Sequence, residues 1–322
     1  MKKLIYPVLA VVLLSCNNTN AQKEKRVEKQ MNVNVNVRED EDSNEENRHS
    51  DDSFNGKYES HREVIQKEFT VSTNAFLNVH NIFGDVKVEG YNGNKVIVEV
   101  EKIIKAEDKA DVELGVKEAK LAFDQIGDTL TFYTSEPYDT RPRKKLSYDW
   151  GNEKHRRDYI VHLNYTIKVP RSIGLQLSTV NSGKVEASDI DGRIKANNVN
   201  GGITLTNVRA AHDVHSINGN VLINFLASPP ENSKFYTLNG KLDITFPKDF
   251  SADCEFKSFN GNFYTDFDDI ENLPAKTEKQ VKNNENGTTY KLNKINSYRF
   301  GKGGKNIKIE TFNGNAYIRK QS

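Results

Sequence analysis

The sequence predicts an all-β protein of the single-stranded β-helix or β-solenoid kind with Asn-Gly corner repeats, and three observations carry that prediction. Apolar and polar residues alternate with period two from about Arg62 onward, the signature of strands. A short cassette, Ser/Thr-x-Asn-Gly-x-apolar, recurs through the C-terminal half. Nothing shows the alternation of long helices and strands expected of a doubly wound fold. An antiparallel β-meander or sandwich satisfies the same alternation and stands as the alternative.

Among the 322 residues, 46 Lys+Arg oppose 45 Asp+Glu and only 36% are hydrophobic. A generic nucleic-acid binder carries a strong basic excess, so no nucleic-acid partner is expected. The low apolar share implies that part of the chain lies outside any core.

Taken in order, Met1-Lys2-Lys3 and the apolar run from Leu4 to Leu14 read as a signal peptide, too short for a comfortable membrane span. The run ends in Leu13-Leu14-Ser15-Cys16, which resembles the bacterial lipoprotein box, where a small residue precedes a Cys that becomes the acylated N-terminus. Residues 1–16 are therefore read as a lipoprotein signal that includes the acceptor Cys16. The expected location is the outer membrane or cell surface, with the membrane as a partner through the N-terminal lipid. The rival cut lies after Ala21 in Thr19-Asn20-Ala21 and would release a periplasmic or secreted protein. With Cys16 acylated, Cys254 is the only thiol left and cannot form an intramolecular bridge. Its setting, Ala252-Asp253-Cys254-Glu255-Phe256, alternates like a strand, so a buried Cys is preferred over a nucleophile.

Residues 17–60 hold eleven acids, seven bases and nine Asn, a composition that cannot bury enough apolar surface to offset its ordering entropy. They are read as a disordered acidic tether, and the brief alternation Val33, Val35, Val37 is assigned to it. Residues 61–322 are the folded all-β domain. Its first strands are marked by Phe69 and Val71, Leu77 and Val79, Val86 and Val88, and Val96, Val98 and Val100; a short helix is expected within Glu107 to Ala119 and strands around Leu130, Phe132 and from Ile160 to Val169. Two insertions interrupt it, at 134–158 and 270–300. The first carries Arg141, Arg143, Lys144, Lys145, Lys154, Arg156 and Arg157 with Tyr148 and Trp150. Such a cluster suits an anionic polysaccharide, lipid headgroup or nucleic acid, but a solvated loop is the preferred reading.

The repeat is the strongest signal. Its corners are Asn200-Gly201, Asn218-Gly219, Asn239-Gly240, Asn260-Gly261 and Asn313-Gly314, with looser copies at Gly183 and Gly192. The steps from Gly183 to Gly192 and to Gly201 are nine residues each, then come 18, 21, 21 and a jump of 53 that spans the second insertion. Gly reaches positive φ and Asn tolerates it, so Asn-Gly is expected to turn a strand sharply. Apolar residues follow the Gly at plus two, four and six, as in Val221, Ile223 and Phe225 or Leu242, Ile244 and Phe246. Parity alone admits a hairpin or a solenoid; equal steps favour the solenoid, because stacked turns of chain demand equal lengths. In that form equivalent Asn and Ser/Thr stack into hydrogen-bonded ladders.

At these residues the chain resembles the bacterial putative-adhesin family of β-helical domains of unknown function. The resemblance covers the strand leading to Val169-Pro170, the serial cassettes, and Gly301-Lys302-Gly303-Gly304 before Ile307 to Gly314. It implies an elongated, right-handed β-helix-like domain at the cell envelope, and it supplies no catalytic residue. A polysaccharide-active enzyme would need a placed acid/base pair. Asp266, Asp268 and Asp269 form one acidic cluster and Asp189 with Asp191 another, both read as solvated turns; His212 and His215, three apart, fall on opposite strand faces. The expectation is a non-enzyme without cofactor or metal, binding an envelope glycan or protein through outward residues such as Phe259 and Phe312. An enzyme, or a sensor acting through a protein partner, is the alternative.

Overall fold

The computed structural model describes residues 34–37, 58–135, 140–141, 158–284 and 287–322. Its N-terminal part contains β1 (Asn34–Val37), β2 (Glu59–Thr70), β3 (Phe76–His80), β4 (Val86–Tyr91), β5 (Lys95–Ala106), α1 (Lys109–Glu118), β6 (Lys120–Ile126), β7 (Thr129–Ser135) and β8 (Tyr159–Pro170). Shorter strands follow: β9 (Gly174–Thr179), β10 (Val185–Ser188), β11 (Arg193–Asn198), β12 (Ile203–Val208), β13 (Ala210–Asn218), β14 (Val221–Phe225), β15 (Ser233–Asn239), β16 (Leu242–Phe246), β17 (Ala252–Asn260) and β18 (Phe263–Thr265). A long hairpin of β19 (Ile270–Asn284) and β20 (Gly287–Phe300) precedes β21 (Asn306–Asn313) and β22 (Ala316–Lys320).

The protein is all-β, and its described residues form two mixed sheets of 11 strands each. Sheet A runs β1-β2-β5-β8-β4-β10-β12-β14-β16-β22-β18 and sheet B runs β19-β20-β17-β21-β15-β13-β11-β9-β3-β7-β6. From β9 to β16 successive strands alternate between the sheets, and strands two apart pair in parallel. A sheet-B strand and the sheet-A strand that follows it make one rung. The two strands flanking an Asn-Gly thus lie in different sheets and never pair, so the chain does not build the hairpins of a meander. Two sheets over a shared core remain within the sandwich description.

Both ends of the stack depart from sequence order. β21 lies between β15 and β17, and β22 between β16 and β18. At the other end β3 lies between β7 and β9, and β4 between β8 and β10. Antiparallel strands then close each end: β5 and β2 beside β8, β6 beside β7, and the β19–β20 hairpin beside β17. Such closure manages the unpaired edges that a parallel stack leaves.

Inward residues of both sheets form one continuous core, from Leu77 and Val79 through Ile223 and Phe235 to Ile309 and Ile318. Period two delivers it: β14, β16 and β22 bury alternate residues. Phe225, Phe246 and Phe250 stack in series, with centroids 5.3 and 3.9 Å apart. A smaller core of Ile104, Ala106, Val112, Ala119 and Tyr159 lies under α1. Asp108 caps that helix by accepting from the Asp111 N–H at 2.9 Å, as an N-terminal carboxylate should.

Two sequence expectations change, and a third gains detail. Of the Val33, Val35, Val37 alternation assigned to the tether, Asn34–Val37 forms β1, which pairs antiparallel with β2, because an edge strand supplies the partner that the local composition lacks. The domain's first long strand starts at Glu59. The 270–300 insertion is the paired β19–β20 hairpin. The rest of the 17–60 stretch, the 1–16 signal with Cys16, and most of the basic insertion lie outside the described residues.

The intercalated C-terminal rung yields a prediction. Ending the chain at Gly304 removes the buried Ile307, Ile309, Ala316 and Ile318 and strips a partner from both neighbouring rungs. At about 1.5–3 kcal/mol per large buried side chain, that loss rivals a domain's whole stability of about 5–15 kcal/mol, and cooperative thermal unfolding should disappear. Shortening the hairpin instead, by joining Thr277 to Lys294 through a tight turn, should leave the melt near wild type. Among the described residues, the deleted ones pair only with one another.

Candidate binding face

Each Asn-Gly corner is built from three contacts with the rung beside it. The Asn side chains form a head-to-tail ladder: Asn260 Nδ2 donates to Asn313 Oδ1 at 2.9 Å, Asn313 to Asn239 at 2.8 Å, Asn239 to Asn218 at 2.8 Å, Asn218 to Asn200 at 2.8 Å and Asn200 to Asn181 at 2.7 Å. Inside the corner, the residue two before the ladder Asn bonds the glycine carbonyl of the preceding rung in four rungs, whereas Thr311 Oγ1 donates to Gly314 O of its own rung at 2.9 Å. Thr237 Oγ1 donates to Gly219 O at 2.7 Å, Ser216 Oγ to Gly201 O at 3.0 Å and Thr179 Oγ1 to Gly84 O at 3.0 Å. Asn198 does the same with Nδ2, to Gly183 O at 2.9 Å.

The third contact explains the glycines, and it is not the expected one. Gly183, Gly201, Gly219, Gly240 and Gly261 have no positive φ, and neither do Asn200, Asn218, Asn239, Asn260 and Asn313, whereas Ser182 before Gly183 adopts 52° and Gly314 156°. A Cβ on Gly201, Gly219 or Gly240 would instead overlap the carbonyl oxygen of the corner glycine one rung below. Glycine is required for close approach between backbones, not for a left-handed turn. The half-step at Gly192 is the opposite corner of the same rung. There Asp189 and Asn207 adopt φ of 60° and 55°, Arg171 pairs with Asp189 at 2.9 Å and Arg209 with Asp191 at 2.8 Å.

Between the inner hydroxyl and the ladder Asn sits one outward residue per rung. In spatial order these are Val180, Val199, Ile217, Leu238, Phe312 and Phe259, and all six are apolar. Six rungs at ~4.8 Å spacing make an apolar row about 24 Å long beside the Asn ladder. The first four are half-buried, whereas Phe312 is 42% and Phe259 72% exposed, their rings stacked at 4.8 Å and 6°. On the sheet-A side of the same corner Tyr264 and Tyr317 stack at 5.1 Å. Sequence reasoning singled out the two Phe but missed Val180, Val199, Ile217 and Leu238. The signal was present, an apolar residue two or three before each Gly, but parity in one chain does not show that separate rungs align it into a row.

Charged residues on the outer faces are paired across rungs: Lys195 with Asp213 at 2.9 Å, Arg319 with Asp243 at 2.7 Å and Lys276 with Glu255 at 2.6 Å. Burial alone would raise the Asp213 pKa, but the adjoining His215 and Lys195 outweigh it and hold the carboxyl well below the usual range. Asp243 is likewise held low, against burial, by Arg319 and Lys241. A bulge in β13 leaves both His212 and Asp213 between the buried Ala211 and Val214, so strict alternation between His212 and His215 does not apply. Asp266 accepts from the Lys320 N–H at 2.6 Å and Asp268 lies 3.5 Å from Lys320 Nζ. Cys254 is buried and free, and burial pushes its thiol pKa far up, the opposite of an activated nucleophile.

Two predictions follow from these contacts. Gly219→Ala should lower stability by about 1–3 kcal/mol through overpacking. Gly202→Ala, where an added Cβ meets only Asn220 O at 3.3 Å, should stay within about 0.5 kcal/mol; urea titration compares them. Because the folded-state pKa values of Asp213 and Asp243 are depressed, the stability they contribute is present above pH ~4 and is lost as pH falls below it. The urea midpoint should therefore drop below pH ~4, and Asp213→Asn should shrink that drop while lowering the midpoint at pH 7.

No family model matches the chain, and neither does any curated protein. Solved structures that it is similar to include a putative cell adhesion protein from Clostridium sporogenes, at 12% identity over 80% of this chain and 99% of that one with a TM-score of 0.39. Others are a putative adhesin from Bacteroides fragilis, at 12% over 80% and 97% with a TM-score of 0.34, and a putative lipid binding protein from Parabacteroides distasonis, at 9% over 83% and 98% with a TM-score of 0.26.

Proposed function

We propose that this chain is a non-catalytic, adhesin-like protein of the cell envelope whose stacked rungs form a β-solenoid, with the apolar row beside the Asn ladder as its recognition face. The observation that carries this reading is the row itself: apolar residues at one register position on six consecutive rungs, ending in the exposed Phe259–Phe312 stack. Contiguous exposed apolar surface on a polar protein marks a contact site. Stacked rungs hold such a surface rigid, so little ordering entropy is lost on binding. The ligand is an envelope glycan or protein. In this reading Cys16 carries the lipid, and the segment between Cys16 and β1 spaces the head from the membrane.

The test uses the exported protein against envelope polysaccharides and surface proteins of the producing cell. Wild type should bind at least one, and Ile217→Lys with Leu238→Lys should weaken that binding about tenfold or more without changing the melting temperature by more than a few degrees. No binding to any of them would overturn the recognition role. In cells, palmitate labelling should vanish in Cys16→Ser; labelling that persists would overturn the anchor.

A further inference from the structure

The last rung of the stack is unfinished at its corner. β17 pairs with β20 only as far as Phe256 with Asn296, and β18 is the end strand of sheet A. From Lys257 round to Thr265, among the described residues, no strand lies beyond the rung in either sheet. Every ladder residue from Asn200 to Asn313 both donates and accepts. Asn260 donates only, and none of the residues whose side chains are described donates to its Oδ1. Phe259 has one ring face on Phe312 and is otherwise the most exposed large apolar side chain described.

We propose that this corner accepts an extended segment of a partner polypeptide as one further rung. The missing groups are those a neighbouring rung supplies elsewhere in the stack: backbone partners for an open strand edge, an N–H donor in line with Asn260, and an apolar or aromatic side chain over Phe259. Only another peptide chain repeats backbone hydrogen-bonding groups at strand spacing, which is the basis of recognition by strand addition. A saccharide could stack on the ring but would leave the strand edge unpaired, and unpaired edges recruit strands. The partner segment is thus extended, with alternating apolar and polar residues and a side-chain amide at the ladder position. This deepens the proposed surface-recognition role by naming a partner class for one end of the face. It rests on that reading for the role alone.

The probe is a synthetic peptide with the sequence of the chain's own penultimate rung, Lys305 to Lys320, titrated into the exported protein. Anisotropy should show saturable binding, and hydrogen exchange should show new protection of amides between Lys257 and Thr265. Phe259→Lys, or an Asn→Asp change in the peptide at the position of Asn313, should weaken binding about tenfold. Phe259→Ser serves as the second variant should the lysine disturb folding, which a thermal melt reports. Absence of saturable binding, or protection that appears only at β15 and β16 through exchange with the native rung, would overturn the proposal. So would glycan binding that depends on Phe259 in the absence of peptide binding, although it would leave the recognition role intact. Peptide binding with no effect of Ile217→Lys and Leu238→Lys on envelope ligands would do the reverse.

Discussion

At each Asn-Gly corner the α-carbon of one glycine lies against the carbonyl oxygen of the glycine one rung below, too close for any side chain. That approach brings neighbouring rungs to strand spacing at the corner, where loops would otherwise splay. With the backbones this close, successive Asn amides come within 2.9 Å of one another and close into a ladder, and the hydroxyls of Ser216 and Thr237 reach the carbonyls beneath. Aligned amide dipoles reinforce each other in such a chain. The parallel registers of both sheets are continuous with this alignment, since Asn218 pairs with Asn239, and Asn239 with Asn313.

A parallel stack leaves exposed edges at its two ends, and this chain treats both in a similar way. A rung late in space comes early in sequence, and a rung late in sequence is inserted one place inside the end. β21 and β22 are therefore bonded on both sides although they end the chain. The arrangement ties the last two strands into the interior of both sheets, where fraying is costly. The antiparallel strands and the β19–β20 hairpin cover most of what remains, but not the corner half of the final rung.

Rungs that repeat one backbone geometry also repeat whatever points outward. On the outer faces this yields cross-rung ion pairs such as Lys195 with Asp213, which are solvated and individually modest. Beside the ladder it yields an apolar row that no other part of the described chain covers at Phe259. The only described free thiol is buried, and the acidic clusters are tied to Arg171, Arg209 and Lys320.

Much of this was legible in the residues. Period two and the +2, +4, +6 positions after each Gly identified Val221, Ile223, Phe225 and Leu242, Ile244, Phe246 as inward, because burial on one face of a strand imposes that spacing. The cassette identified the residues of the ladder, since one position in each repeat must serve one role. Sequence misjudged why glycine stands there, as a local argument from φ cannot see a carbonyl that belongs to a residue 18 to 21 positions away. Nor could it order the rungs: Asn313 lies between Asn239 and Asn260, although it is 53 residues beyond the latter. Which strand inserts beside which, and that Ile217, Leu238, Phe312 and Phe259 form one row, depends on pairing between distant segments. Local pattern sets the face a side chain takes, whereas the neighbour on that face is chosen by the tertiary contacts that close the stack.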